Sequence, residues 1–252
     1  MTDEKEKQAR GNPVPWKSFV EIKSWAHELD RIFGNFVVRI LRPSLDGHQG
    51  NSVMEKTMNK PKSDMSLMDA IYSRCSVRSY FPHRLDQATI RTLLAAAVRA
   101  PTAVHLEPWA FAILQDASTL KRLSDRAKPI FLEEAHRAHL DRGGHTFDLF
   151  ASPDFNIFYN AGTLIIICGK PMGPFVVADC WLAAENLMLA ACAMGLGTCV
   201  IGSAVPALNT PEIKADLGIS AELTAIAPII VGVPSGETPP TARKEPEVLF
   251  WK

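Results

Sequence analysis

RCSVR at residues 74–78 and PTAVHLEPW at residues 101–109 are the two stretches on which the fold assignment depends. In the first stretch, Arg74 and Arg78 flank the hydroxyl of Ser76. Guanidinium groups grip phosphate oxygens through paired, charge-assisted hydrogen bonds, so two of them around a hydroxyl are typical of a phosphate site. Most arginines are nevertheless solvated surface charges, so the first stretch is informative only together with the second.

The residues before the basic stretch predict a helix. MSLMDAIY at residues 65–72 places four apolar side chains at helical spacing, namely Leu67, Met68, Ile71 and Tyr72. The basic stretch therefore starts just beyond a helix end, where backbone groups are free to bind a ligand.

The second stretch predicts a shaped loop. Pro101 and Pro108 each lack an N–H and push the preceding residue toward extended geometry, so the loop between them is not a regular helix throughout. The apolar run Trp109–Leu114 that follows predicts a buried strand. A rigid, apolar element would then carry the polar loop residues Thr102, His105 and Glu107, which is how binding loops are commonly built.

A third stretch, DCWLAAENLMLAACAMGLG at residues 179–197, completes a recognisable order of motifs. Over most of residues 65–252 the chain resembles the nitroreductase family of FMN-dependent oxidoreductases. The family's R-x-S-x-R/K element is matched at residues 74–78, its P-S-x-x-N-x-Q-P-W loop at residues 101–109, and its D-x-G-x-A-A-x-N-L motif at the start of the third stretch.

The resemblance implies a set of FMN contacts. Arg74 corresponds to the residue that reaches the phosphate, Arg78 to the one on the ribityl and pyrimidine side, and Arg243 or Lys244 to the basic residue that completes the phosphate site. The full set of implied cofactor-binding residues is Arg74, Cys75, Ser76, Arg78, Pro101, Thr102, His105, Glu107, Asp179, Gly195, Gly197 and Arg243.

The same resemblance implies the fold, the assembly and the chemistry. We expect an α+β domain with a mostly antiparallel sheet flanked by helices, assembled as an intertwined homodimer. NAD(P)H would pass a hydride to flavin N5, and an electron-poor acceptor such as a nitroaromatic or quinone would take two electrons in a ping-pong cycle. No side chain is assigned as catalytic, because the family's N5 neighbour corresponds to backbone around residues 178–180.

Three other functions remain open. One is a metal hydrolase that uses the histidines of residues 136–145 and binds zinc instead of flavin. Reduced flavin can serve other chemistry in this family, such as dehalogenation or breakdown of the flavin itself. The chain can also be a non-catalytic flavin-binding protein, because it departs from the family pattern at three positions. His105 stands for the usual Asn, Glu107 for the usual Gln and Trp181 for a small residue. Near a flavin ring a carboxylate accepts hydrogen bonds only from N–H groups, and Trp181 is expected to narrow the space beside its helix.

The composition is that of a soluble enzyme. The 252 residues carry 27 basic and 27 acidic side chains, so no overall field favours nucleic acid or an anionic membrane. Five cysteines without a C-x-x-C pair suggest reduced thiols and a cytoplasmic location. Residues 186–211 carry no charge, but Gly195 and Gly197 interrupt the run, which favours a buried helix at residues 181–194 over a membrane span.

Hydrophobic periodicity predicts the remaining elements. Four strands are expected at residues 110–115, 163–168, 198–202 and 225–233, and further helices at residues 87–99, 118–128 and 211–217. The apolar residues 248–251 predict a strand-like tail that packs on a partner subunit. Residues 1–64 form an N-terminal extension before the 65–252 domain, with an amphipathic helix within residues 16–40 and no signal peptide.

Two side-chain clusters lie between the first and second predicted strands. Glu133, Glu134, His136, His139 and His145 lie close in sequence, but their spacing matches no recognised metal motif, so a solvated helix is favoured over a metal site. A second cluster could form an apolar wall for an aromatic substrate. Its members are Phe147, Phe150, Phe155, Phe158 and Tyr159.

Overall fold

The structure is a computed structural model that describes residues 65–138, 145–239 and 241–252. The extension at residues 1–64, with its predicted amphipathic helix, lies outside the described residues, as does His139. The division into an extension and a 65–252 domain therefore stays a prediction.

Four antiparallel strands form one sheet. They are β1 (Trp109–Leu114), β2 (Thr163–Gly169), β3 (Gly197–Val200) and β4 (Thr224–Gly232), in the spatial order β1-β2-β4-β3. Strand β2 pairs with β1 on one side and with β4 on the other, and β3 pairs with the end of β4. The predicted α+β class, the antiparallel sheet and all four strands are confirmed.

The sheet is buried on both faces. Every residue of β2 is buried, and its side chains alternate between two cores because successive residues of a strand point to opposite faces. Leu164 and Ile166 belong to a core with residues of helices and turns on one face, whereas Ile165 and Ile167 belong to the core on the other. Helices must therefore cover both faces.

Seven helices surround the sheet within the described residues. They are α1 (Leu67–Ser73), α2 (Gln87–Ala97), α3 (Ala117–Arg137), α4 (His145–Ala151), α5 (Val176–Ala193), α6 (Val205–Leu208) and α7 (Pro211–Leu217). Helices α3, α6 and α7 contribute to the first core, and α2 and α5 to the second. Helix α3 extends past the predicted end through Pro129, because Ala135 in its last turns is buried as well.

One sequence prediction about burial is wrong. Strand β1 was expected to be buried, but it lies at the sheet edge with a neighbour on one side only, and most of its residues are half-buried.

The apolar tail at residues 248–251 is irregular and exposed in the single chain, with Trp251 90% exposed. A strand needs a partner for its backbone groups, and no described strand of this chain pairs with the tail. Its packing on a partner subunit stays a prediction.

Helix α5 has both a buried side and an exposed side. Among the described residues it is the one helix long and apolar enough to cross a membrane by length and composition. Seven of its 18 residues are buried against the protein, as the sequence predicted for a core helix. Val177, Trp181 and Leu182 are exposed apolar side chains of the same helix.

Candidate flavin-binding site

The basic stretch runs beside strand β3. The backbone of Ser76 forms a parallel bridge with Thr198, and the Val77 N–H donates to the Thr198 carbonyl at 2.9 Å. The approach is close because a Cβ on Gly197 would lie 2.8 Å from the Cβ of Val77. Gly197 therefore lets the basic stretch pack closely on β3, and this packing positions the neighbouring arginines at the edge of the sheet.

Arg74 is held against helix α5. Its Nε lies 3.3 Å from Glu185 Oε1, and the Arg74 side chain is 22% exposed. The same Nε is buried and makes no hydrogen bond in the structure, because this ion pair lacks hydrogen-bond geometry. Buried guanidinium nitrogens are normally satisfied. Arg74 therefore retains hydrogen-bonding capacity for an anionic ligand.

Arg78 contacts a different set of groups. Its guanidinium lies near the hydroxyl groups of Tyr159 and Tyr80 and near the Cys199 thiol. Burial raises the pKa of Tyr159 to about 12, although the Arg78 charge works in the opposite direction. Tyr159 is therefore a neutral hydrogen-bonding partner at physiological pH.

Cys75 lies between the two arginines. Both guanidinium groups lower the pKa of its thiol, but burial and the nearby Cys192 outweigh them, so the pKa is raised overall. The positive charge of both guanidinium groups therefore reaches the segment between them, as the sequence predicted for an anion site. The Ser76 hydroxyl, between them in sequence, lies near the Cys199 thiol.

The loop at residues 101–108 has a strained backbone. Residues 103–105 form one 3-10 turn, and Val104, His105 and Glu107 have positive φ angles of 46°, 57° and 46°. A β-branched residue such as Val104 is a genuine outlier there. Each such residue costs on the order of 1–3 kcal/mol and is typical of binding sites.

Two hydrogen bonds fasten this loop to the rest of the protein. The Ala103 N–H donates to Asp179 Oδ1 at 3.1 Å, and the Lys170 N–H donates to the Pro108 carbonyl at 2.8 Å. Within the loop, the Glu107 N–H donates to Thr102 Oγ1 at 3.5 Å. The side chains of His105 and Glu107 are exposed, so they are available to a ligand.

Helix α5 brings the two motifs together. Asp179 holds the loop and Glu185 contacts Arg74. These two residues are six positions apart on one helix, which corresponds to about 9 Å along its axis. Helix α5 therefore contacts both the basic stretch and the loop.

The two glycines of the third motif shape the chain after α5. Gly195 has a φ of 75°, and the Leu196 N–H returns to the Ala191 carbonyl at 2.8 Å, which is a glycine-terminated helix end. Gly195 has open space around it, whereas Gly197 lies under Val77. Both act through the backbone here, and a direct cofactor contact for either stays a prediction.

The structure does not bring Arg243 to the arginines of residues 74–78. Arg243 is exposed and its guanidinium donates to the adjacent Ala242 carbonyl at 3.4 Å. The C-terminal segment does pass the site earlier, because the Cys75 thiol contacts the Thr238 carbonyl at 4.0 Å. A phosphate role for Arg243 stays a prediction.

The proposed aromatic wall is only partly present. Phe150, Phe155 and Tyr159 form a chain of ring contacts with centroids 5.4 and 5.7 Å apart, and all three are half-buried. Phe158 is fully buried in the core, so its assignment to a substrate wall is wrong. The side chain of Phe147 lies outside the described residues.

Two further sequence readings can be compared with the structure. Among the described side chains, no group of three or more His, Cys, Asp or Glu residues is placed to bind a metal ion. Trp181 is 41% exposed on α5, so its ring extends outward instead of filling the space that a glycine would leave inside.

Sequence reasoning missed Glu185 as a site residue. It contacts Arg74, and it is the one charged residue between Asp179 and Glu212. A single charge in a long apolar run is a signal that could have identified it, because an isolated charge on a largely apolar helix usually has a specific partner.

The structure is an α+β protein in which one helix contacts both a basic stretch and a strained loop. The chain belongs to the Nitroreductase family, whose sequence profile matches residues 71–233. A protein of Archaeoglobus fulgidus, to which NADH dehydrogenase/NAD(P)H nitroreductase activity is provisionally assigned, is 27% identical over 172 residues, which are 66% of this chain and 84% of the relative.

Solved structures share the fold. A nitroreductase with bound FMN from Bacteroides fragilis has a TM-score of 0.65 and 24% identity, and the match covers 74% of this chain and 99% of that protein. An iodotyrosine deiodinase bound to FMN and 3-iodo-L-tyrosine has a TM-score of 0.57 and 21% identity, with 74% of this chain and 100% of that protein covered. At these identities the likeness establishes the nitroreductase-like fold.

Replacing Tyr159 by Phe should reduce the loss of stability at alkaline pH. The pKa of Tyr159 is raised from 10.0 to about 12 by burial, so the unfolded chain releases this proton first. The stabilisation is complete below about pH 10 and is lost as the pH rises toward 12. As the pH rises, the free energy of unfolding should fall less steeply in the variant than in the wild type. The two slopes should differ by up to about 1.4 kcal/mol per pH unit.

Urea unfolding between about pH 9 and pH 11.5 measures this effect. Phe155→Leu is the matched control, because its ring packs on Tyr159 and carries no titrating group, so its replacement should leave the slope unchanged. Parallel curves for the Tyr159 variant and the wild type would contradict the prediction.

Proposed function

We propose that this chain binds FMN and is an NAD(P)H-dependent flavin oxidoreductase of the cytoplasm. The observation that carries the proposal is that helix α5 contacts both Arg74 of the basic stretch and the strained, exposed loop, in a chain of the Nitroreductase family. When bound, FMN supplies two-electron transfer from NAD(P)H to an electron-poor acceptor such as a nitroaromatic or quinone, in a ping-pong cycle.

The residues of the site fit this cofactor. Arg74 has a buried Nε without a hydrogen bond, and a phosphate would satisfy the guanidinium with bidentate bonds. Arg78, near Tyr159 and the Cys199 thiol, would add positive charge on the ribityl and pyrimidine side. Positive charge there favours the negative charge that develops on the ring on reduction.

The loop residues would face the flavin ring. His105 and Glu107 are exposed and held at positive φ, and Glu107 as a carboxylate would accept from a ring N–H. The half-buried Phe150, Phe155 and Tyr159 would border the acceptor. This chain needs no side chain as a general acid, and its loop and aromatic residues would exclude water and orient the acceptor.

We further propose that the functional form is a homodimer. Helix α1 exposes Leu67, Met68, Ile71 and Tyr72, and it packs against α5, which exposes Val177, Trp181 and Leu182. The apolar tail at residues 248–251 is exposed as well. A continuous exposed apolar surface of this kind marks an interaction site, and a second copy of the chain would cover it by two-fold symmetry.

The first test is a visible spectrum followed by anaerobic addition of NADH or NADPH. We expect a purified protein that carries flavin absorbance and loses it on nicotinamide addition. Bound flavin that nicotinamide does not bleach would contradict the reductase and favour other reduced-flavin chemistry, such as dehalogenation, or a binding role. A colourless protein that takes up no added FMN would contradict the cofactor itself.

Arg74→Ala should weaken FMN binding far more than riboflavin binding, because riboflavin lacks the phosphate that Arg74 would hold. We expect the FMN dissociation constant to rise at least about tenfold, which corresponds to about 1.4 kcal/mol, and that of riboflavin to change less than about twofold. Fluorescence titration measures both constants. Arg91→Ala, at an exposed position of α2, is the control and should change neither.

Ile71→Glu combined with Leu182→Glu should convert the dimer to a monomer, because four buried charges would face one another across a two-fold interface. Sedimentation velocity measures the change. Ser220→Glu with Ala221→Glu adds the same charge in the exposed turn before β4 and should leave a dimer. A wild-type monomer would refute the proposed assembly.

A further inference from the structure

Asp179 is an unusual residue in its helix. It lies in the first turn of α5, it is 4% exposed, and most of the helix around it is apolar. A buried carboxylate requires compensation. The structure supplies a hydrogen bond from the Ala103 N–H to its Oδ1 at 3.1 Å, and the helix N-terminus favours negative charge there.

The loop that Asp179 contacts does not hold its conformation by core packing. Val104, with a positive φ, is 85% exposed, and His105 and Glu107 have positive φ and are exposed too. Backbone strain persists only where surrounding contacts over-determine it. Pro101 and Pro108 have no N–H to contribute, so tethers from outside the loop matter.

The two tethers act at opposite ends of the loop. The Lys170 N–H holds the Pro108 carbonyl next to strand β1, and this bond is backbone to backbone. Asp179 holds Ala103 at the start of the strained residues. A side chain therefore holds Ala103, the residue that immediately precedes Val104 and His105.

We propose that Asp179 is a positioning residue, which holds the loop so that His105 and Glu107 face the flavin ring. The inference rests on the proposed flavin function, and it replaces the expected direct cofactor contact of Asp179 with an action through Ala103. The carboxylate acts on the ring side of the site. It therefore affects FMN and riboflavin equally, unlike Arg74.

Asp179→Ala tests the inference in the full-length protein. We expect the dissociation constants of FMN and riboflavin to rise by the same factor, at least about tenfold, with the bound-flavin spectrum shifted toward that of free flavin. Asp179→Asn keeps an acceptor oxygen of the same shape and should stay within about threefold of wild type.

Ala103→Pro removes the donor and leaves Asp179 in place. A proline is tolerated at the first position of a helical turn, and we expect this variant to reproduce both effects of Asp179→Ala. It keeps the inference testable if Asp179→Ala does not fold.

Asn186→Ala is the matched control. Asn186 lies on the same helix, and its Nδ2 donates to the Ala96 carbonyl of α2 at 3.2 Å, away from the loop. The control should lower the free energy of unfolding without changing either dissociation constant. Equal losses of flavin affinity in the Asn186 and Asp179 variants would overturn the positioning role, as would unchanged affinity in Asp179→Ala.

Hydrogen exchange in the flavin-free protein separates this inference from the proposed function. Residues 101–108 should lose protection in Asp179→Ala and keep it in Asn186→Ala, because the Ala103 N–H is protected by a buried acceptor. If the wild type binds no flavin, the proposed function fails while this loss still supports the tether. Unchanged protection in Asp179→Ala would overturn the inference.

Discussion

Burial of strand β2 on both faces is the constraint on which the rest of this structure depends. A strand without an exposed face needs helices above and below it, and β2 has one core on each side. Helix α5 covers one of these faces and is apolar for that reason. Its few polar side chains are therefore costly, and Asp179 and Glu185 each have a partner in a site motif.

The site motifs follow from this arrangement. Segment 76–81 runs beside β3 and the end of β4, where Gly197 lets its backbone approach closely. The loop after α2 leads into β1 at the opposite edge of the sheet. Each motif is anchored by one core residue, Val77 or Trp109, and α5 is an element that both motifs contact. A rigid helix is a more precise support for a binding site than a free loop would be.

The groups near the two arginines include one carboxylate and two neutral side chains. Arg74 is paired with Glu185, and Arg78 contacts the neutral phenol of Tyr159. The thiol of Cys75, between them, has a raised pKa and stays protonated at neutral pH. The departures His105 and Glu107 are exposed on the loop and lie outside both cores.

The sequence by itself determined the four strands, five of the seven described helices and the positions of the motifs, because hydrophobic periodicity and proline or glycine positions are local properties of the chain. The family resemblance added the class of fold and the set of candidate cofactor-binding residues. Only the tertiary structure decided that β1 is an edge strand, that Phe158 is a core residue, that Glu185 contacts Arg74 and that Asp179 holds Ala103. The last two contacts join residues 111 and 76 positions apart, and such pairings depend on how whole elements pack, which no local pattern specifies.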